Sequence, residues 1–382
     1  KTNFLLATSA IVSVAAFSAT PAFADVEDAA SPGTPLTTPL QNTDSGKDLL
    51  ITGTSTVTET ISIDDTTTTI GSGTATPAIT NDASTEVDLT IDNAGAGANP
   101  IDTDVEGNIE YNGTDDLSLT VANGAGTDAL TVNALNNVDL GTTSTLDVTA
   151  DGHAASLAVT GTTDSGDVTV TGAVGAASAT FTGVANTGDV AVTNNASASF
   201  GDVANTGAVS VAGGSNGGAS LTASGNLTAA GGIELDGTNV GAFLTLDGGA
   251  AQDVTGAITT NGTVSNTSIT VNDPSNTGVK TFKNTIGANS QEVGSLTVTN
   301  GDTALEGNAF VNTVSVAADT LTNDSSAELT ATTLSGTGAF TNEGTATVTS
   351  DVDVATLNNN GTATLTAANI ADSTVTNNST IT

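Results

Sequence analysis

Asp102, Asp104 and Glu106 stand at alternate positions in Asp-Thr-Asp-Val-Glu-Gly, and Asp115 and Asp116 follow an Asn-Gly turn. In an extended segment this spacing puts three carboxylates on one side, and clustered oxygens suit a hard cation. Asp102, Asp104 and Glu106 are therefore the candidate calcium ligands. The stretch departs from a helix-loop-helix calcium loop, because the twelfth position counted from Asp102 is Gly113 rather than Glu. A solvated acidic loop is the competing reading, and a melting curve separates the two. Bound calcium at roughly 100 times its dissociation constant adds about 2.7 kcal/mol of stability, whereas identical curves in calcium and in chelator exclude the site.

Other chemistry has little to work with. His153, the one imidazole, lies in Asp-Gly-His-Ala, which reads as a turn, and no catalytic residue is assigned. With no Cys there is neither a thiolate ligand nor a disulfide framework. Lys+Arg number 4 against 41 Asp+Glu, for a net charge of -37. Such a chain does not neutralise a nucleic-acid backbone, nor does it dock on anionic lipid by charge. A lyase acting on acidic polymers needs cations to hold its substrate, and beyond the first residue there are Lys47, Lys280 and Lys283 alone. A polysaccharide hydrolase needs two placed carboxylates, and no spacing singles out a pair. That leaves a polysaccharide-active enzyme as a minor alternative.

The elements that must position these residues are short and repeated. SLAVTG from Ser156, DVTVTG from Asp167, SATFTG from Ser178, DVAVTN from Asp189, SASFGD from Ser197 and AVSVAG from Ala208 alternate apolar and polar side chains, each followed by a turn-forming residue. Val-Ala-Asn-Thr-Gly at 184–188 returns at 203–207. Further on, LTNDSSAELT, FTNEGTATVT, LNNNGTATLT and VTNNSTIT align in steps of 19, 17 and 18 residues. Their alignment predicts that Leu321, Phe340, Leu357 and Val375 stack inward. Asn323, Asn342, Asn359 and Asn377 are predicted to occupy a corner, where Asn tolerates left-handed backbone and stacked amides bond one another. The density of Gly, Asn, Thr and Val disfavours helix and favours strand.

The fold expected is all-β, a parallel β-helix with two strands and about 17–22 residues per coil. Small Val, Ala and Leu side chains suffice for so thin a core, with Phe181 and Phe200 stacked inside it. A string of β-sandwich domains is the runner-up, but sandwiches require no fixed step with aligned Asn.

Three regions follow from composition. Residues 1–24 read as a secretory signal peptide: Lys1, an apolar run from Phe4, and Ala22-Phe23-Ala24 before cleavage. Residues 25–49, with Pro32, Pro35 and Pro39, read as a flexible spacer. Residues 50–382 read as the repetitive solenoid, with no segment able to span a bilayer as a helix.

An export signal followed by Asn-x-Gly-Thr repeats resembles the passenger region of Gram-negative autotransporter surface proteins. Within that class, Lys280 to Thr322 is similar to the large rickettsial surface antigens. The matching positions are Ile286-Gly287, Val293-Gly294-Ser295-Leu296, Gly307-Asn308 and Val314-Ser315-Val316. The resemblance implies display at the cell surface, contact with a host-cell surface or neighbouring surface proteins, and a C-terminal outer-membrane barrel. The last hundred residues lack the aromatic girdles of such a barrel, so the sequence reads as a passenger truncated within a repeat. The expected function is a non-enzymatic, adhesin-like rod; a surface-layer or filament subunit is the alternative.

Overall fold

The computed structural model describes the chain from Leu117 to Leu365 apart from 124–128 and 135–136, then 369–370 and 374–382; before Leu117 it describes separate strand segments from Val26 onward. Residues 1–25, on which the signal-peptide reading falls, lie outside the described residues. The chain is 72% strand and 1% helix, arranged as a β-solenoid. This matches the all-β, parallel β-helix expected from the repeats. Within the stretch read as a spacer, Val26–Ala30 pairs in parallel with Asp48–Ile51, and Leu40–Asn42 pairs with Ile61–Ile63, so parallel pairing begins ahead of residue 50.

Each coil contributes strands to three parallel ladders, where the sequence suggests two. On the first face Val121, Val148, Val170 and Val192 stand in register. On the second, Val132, Leu157, Ala179, Ala198, Leu221, Leu244, Ile269, Leu296, Val314, Leu334 and Val352 form one unbroken inward column. The third face runs Ala185, Val203, Leu227, Val254, Phe282, Leu305 and then Asn323, Asn342 and Asn359. Its strands are short and show one or two apolar residues each, which is why alternation alone does not reveal them.

Coil length varies more than the 17–22 residues expected. Register steps run from 35 residues at Thr67↔Asp102 to 17 at Leu329↔Ala346. The extra residues enter at corners such as 213–218 and 273–279, which leave the ladders in register. Corner Asp and Asn side chains tie one coil to the next by accepting backbone N–H groups. Asp189 N donates to Asp167 Oδ1 at 2.9 Å, Ala208 N to Asp189 Oδ1 at 2.7 Å, and Thr162 N to Asn137 Oδ1 at 2.9 Å. The acids thus have a local task in a chain whose edges turn every few residues.

The twin pentapeptides do not stack as twins. Val184 pairs with Asp202 and Ala185 with Val203, one residue out of the 19-residue sequence step. Because side chains alternate at period two, this slip reverses their facing. Val184 is 40% exposed, whereas Val203 is buried in the third-face column.

Inside, Phe181 and Phe200 stack as expected, with ring centroids 4.8 Å apart and planes 14° from parallel. Leu321, Phe340 and Leu357 are buried in register; Val375, next in the column, is 41% exposed. The Asn row also forms. Asn323 Nδ2 donates to Asn342 Oδ1 at 2.8 Å, Asn342 to Asn359 at 2.8 Å, and Asn359 to Asn377 at 2.9 Å. These residues are not left-handed: among the described residues the non-glycine positions of positive φ are Asn194, Asn276, Ser290 and Asp319. Instead Asn323, Asn342 and Asn359 face inward at strand ends, fully buried, and each amide also donates to a backbone carbonyl of a following coil. Gly344 makes the adjoining turn possible, since a Cβ there would run into the carbonyl oxygens of Asp324 and Ala327.

Candidate functional site: an uncharged hydroxyl face

Among the described residues, the outward side of the second face carries a regular surface. Alternation places every second residue outward, and parallel register stacks like on like. One rank reads Ser178, Ser197, Ser220, Phe243, Ser268, Ser295, Thr313 and Thr333. The other, two residues along each strand, reads Thr180, Ser199, Thr222, Thr245, Thr270, Thr297, Ser315 and Ser335. Every position but Phe243 carries a hydroxyl. Neighbours lie about 4.8 Å apart along the axis and about 6.6 Å apart along the strand. At the N-terminal continuation of the first rank, Ser156 Oγ donates to Thr131 Oγ1 at 3.1 Å.

Charge is missing from these ranks although the chain carries 41 acids. The first face, by contrast, bears Asp147, Glu234 and Asp236 in its outward columns. Burial pushes the Asp147 carboxyl above its usual range; hydrogen bonds from Thr169 and Thr145 oppose that shift, and the charge of Asp167 adds to it. On the second face acids appear where the ranks end. Thr333 and Ser335 pair with Asp351 and Asp353, while Thr131 and Asn133 pair with Asp102 and Asp104. The calcium candidates therefore occupy the same two register columns at the opposite end. Glu106 ends the same strand, Ile101–Glu106, in register with Gly71. The side chains of all three lie outside the described residues. Among the described residues no group of three His, Cys, Asp or Glu is close enough to hold a metal ion. His153 is exposed in a bend.

A second charged feature is internal. Lys280 occupies the third-face core column between Gln252 and Thr303. Its Nζ lies 3.1 Å from Asp273 Oδ2, with both side chains fully buried, and also donates to Ala250 O. The corner loop after Asp273 wraps the carboxylate: the backbone N–H groups of Ser275 and Asn276 donate to Oδ1 at 2.9 and 2.8 Å, and those of Thr277 and Gly278 to Oδ2 at 3.2 Å each. Burial alone would raise this carboxyl, but the Lys280 ammonium and the Ser275 and Gly278 donors outweigh it and hold the group far below the ordinary carboxylate range. By residue type Lys280 is one of the few cations a polymer lyase would need, and nothing in that count puts it in the core. The usable signal is Lys280-Thr281-Phe282, since an inward Phe282 puts Lys280 inward too.

Comparison with known proteins gives no match to a family model, a curated protein or a solved structure. The residues that resemble surface antigens do have places in the coil. Ile286, Val293, Leu296, Val314 and Val316 are buried core residues, and Gly287 adopts φ 65°. No helix among the described residues is long and apolar enough to cross a membrane.

Proposed function

We propose that the chain is a non-enzymatic, exported rod of a bacterial cell surface, adhesin-like, that makes contact through the uncharged second face. The observation that carries this reading is the pair of hydroxyl ranks sustained over eight coils in a molecule of net charge -37. A strongly acidic rod repels other anionic surfaces, and a neutral strip is where approach costs least. Stacked coils supply stiffness, because each coil buries its apolar edge against the next. The leader and the resemblance to autotransporter passengers support display outside the cell.

Beads coated with the full chain are expected to bind host-type cells saturably. Placing charge on the face, as in Ser268→Asp with Thr270→Asp, should abolish binding, while Thr322→Asp on the third face should leave it intact. Well-folded rods that bind no cell, or that bind equally after the face is charged, would overturn the reading. If light scattering shows the rods assembling side by side through this face instead, the surface-layer alternative holds.

A further inference from the structure

Phe243 is the one break in the hydroxyl ranks. Phe181, Phe200, Phe282 and Phe340 are buried in the core, each 1% exposed, whereas Phe243 is 40% exposed between Ser220 and Ser268. Its backbone neighbours explain the direction but not the residue type. Ala242 and Leu244 are fully buried, so position 243 must face out, and Ser would fit there as it does in the adjoining coils. The ring is accommodated by two glycines: a Cβ at Gly241 or at Gly218 would collide with it. A large apolar ring is thus held open on a polar surface, over backbone cleared of side chains at Gly241 and Gly218, with Ser220 and Ser268 as its register neighbours and the rank of Thr222, Thr245 and Thr270 two residues further along the strands.

A pyranose offers the complementary pattern, an apolar C–H face rimmed by hydroxyls. Aromatic rings present a flat, weakly negative face to such C–H groups, and Ser and Thr hydroxyls both donate to and accept from a sugar hydroxyl. Charge selects among glycans. With no cation on the strip and acids closing it at Asp351 and Asp353, sulfated, sialylated or uronic chains are repelled and neutral ones are not. We infer that Phe243 and the hydroxyls flanking it form a subsite for a neutral polysaccharide chain. The chain lies along the solenoid axis, with one sugar ring stacked on Phe243 and its neighbours hydrogen-bonded to the ranks. This rests on reading the second face as the contact surface.

The test uses the full chain and immobilised neutral polysaccharides of glucose, galactose, mannose and N-acetylhexosamine, beside sulfated and sialylated glycans. Retention on at least one neutral polymer and on no anionic one is expected. Phe243→Ser completes the Ser rank and keeps the fold; it should weaken retention by about ten-fold or more, equivalent to about 1.4 kcal/mol. Thr245→Val with Thr270→Val preserves shape and strand preference while removing two hydroxyls, and should weaken it several-fold. Thr281→Val with Thr322→Val on the third face should change nothing. Failure to retain any neutral polymer, equal retention of anionic ones, or indifference to Phe243→Ser would overturn the inference. So would a concentration-dependent dimer in sedimentation that Phe243→Ser dissolves, since the occupant would then be a second copy. Cell binding by wild-type rods without glycan retention sinks the glycan inference alone; glycan retention without cell binding sinks the cell-contact reading alone.

Discussion

Replacing Lys280 by Met is expected to destabilise the solenoid by about 3–5 kcal/mol, the usual consequence of leaving one partner of a buried ion pair behind. Asp273 would keep the four backbone donors of its corner loop, which places the effect toward the lower end of that range. Asp273→Asn should cost a similar amount by leaving the Lys280 ammonium with Ala250 O and no charge to face. The combination Asp273→Asn with Lys280→Leu should recover most of the loss, because the same core column already accepts Leu321 and Phe340. Urea unfolding followed by far-UV circular dichroism reads all four proteins, and equal stabilities would show that the pair is idle. Acid supplies a second readout. The carboxyl is depressed in the folded state, so its contribution is fully present above the ordinary value of 3.8 and is lost as pH falls from there toward the lower folded value. Wild type should therefore lose stability below about pH 4 in a component that Asp273→Asn lacks.

Asn342→Leu is expected to cost about 2–4 kcal/mol, since burying a polar group without its partner costs about 1–3 kcal/mol and several groups are affected at once. The amide nitrogen of Asn342 serves Asn359 Oδ1 at 2.8 Å, Gly344 O at 3.3 Å and Thr362 O at 3.0 Å, while its oxygen accepts from Asn323. Extending the change to Asn323 and Asn359 should not restore stability. The carbonyls of Thr345, Thr362 and Thr380 would still lack their side-chain donors. Because each coil contacts its neighbours alone, the loss should be local. Hydrogen exchange should quicken in the coils after Asn323 and stay slow around Leu221 to Leu296; uniform acceleration would argue against this nearest-neighbour behaviour.

Sequence periodicity carried the fold class, the Phe181–Phe200 stack and the amide row, because parallel register turns a linear repeat directly into a stack. It missed the third ladder, whose strands are too short to show alternation. Nor does the return of Val-Ala-Asn-Thr-Gly after 19 residues translate into a stack, because a bulge between Phe181 and Val184 shifts the pairing by a residue. Lys280 escaped for a different reason. A lone cation is ordinarily a surface residue, and its partner lies in a corner that no repeat predicts. The hydroxyl ranks were written in the sequence as Ser-x-Thr doublets at 268–270 and 295–297. Their coherence becomes visible when residues some twenty apart are brought side by side. Phe243 is conspicuous only against that background.

Unequal coils set on equal ladders make the rod a modular carrier. A corner such as Ser215-Asn216, exposed between strands that hold register on either side, can receive a foreign peptide while the columns above and below stay aligned. The cost of a longer loop grows slowly, by about 0.6 kcal/mol for each doubling. Corners can thus diversify freely while the ladders constrain what the strands become, so sequence drift should accumulate as rings of changing tips around an unchanging prism.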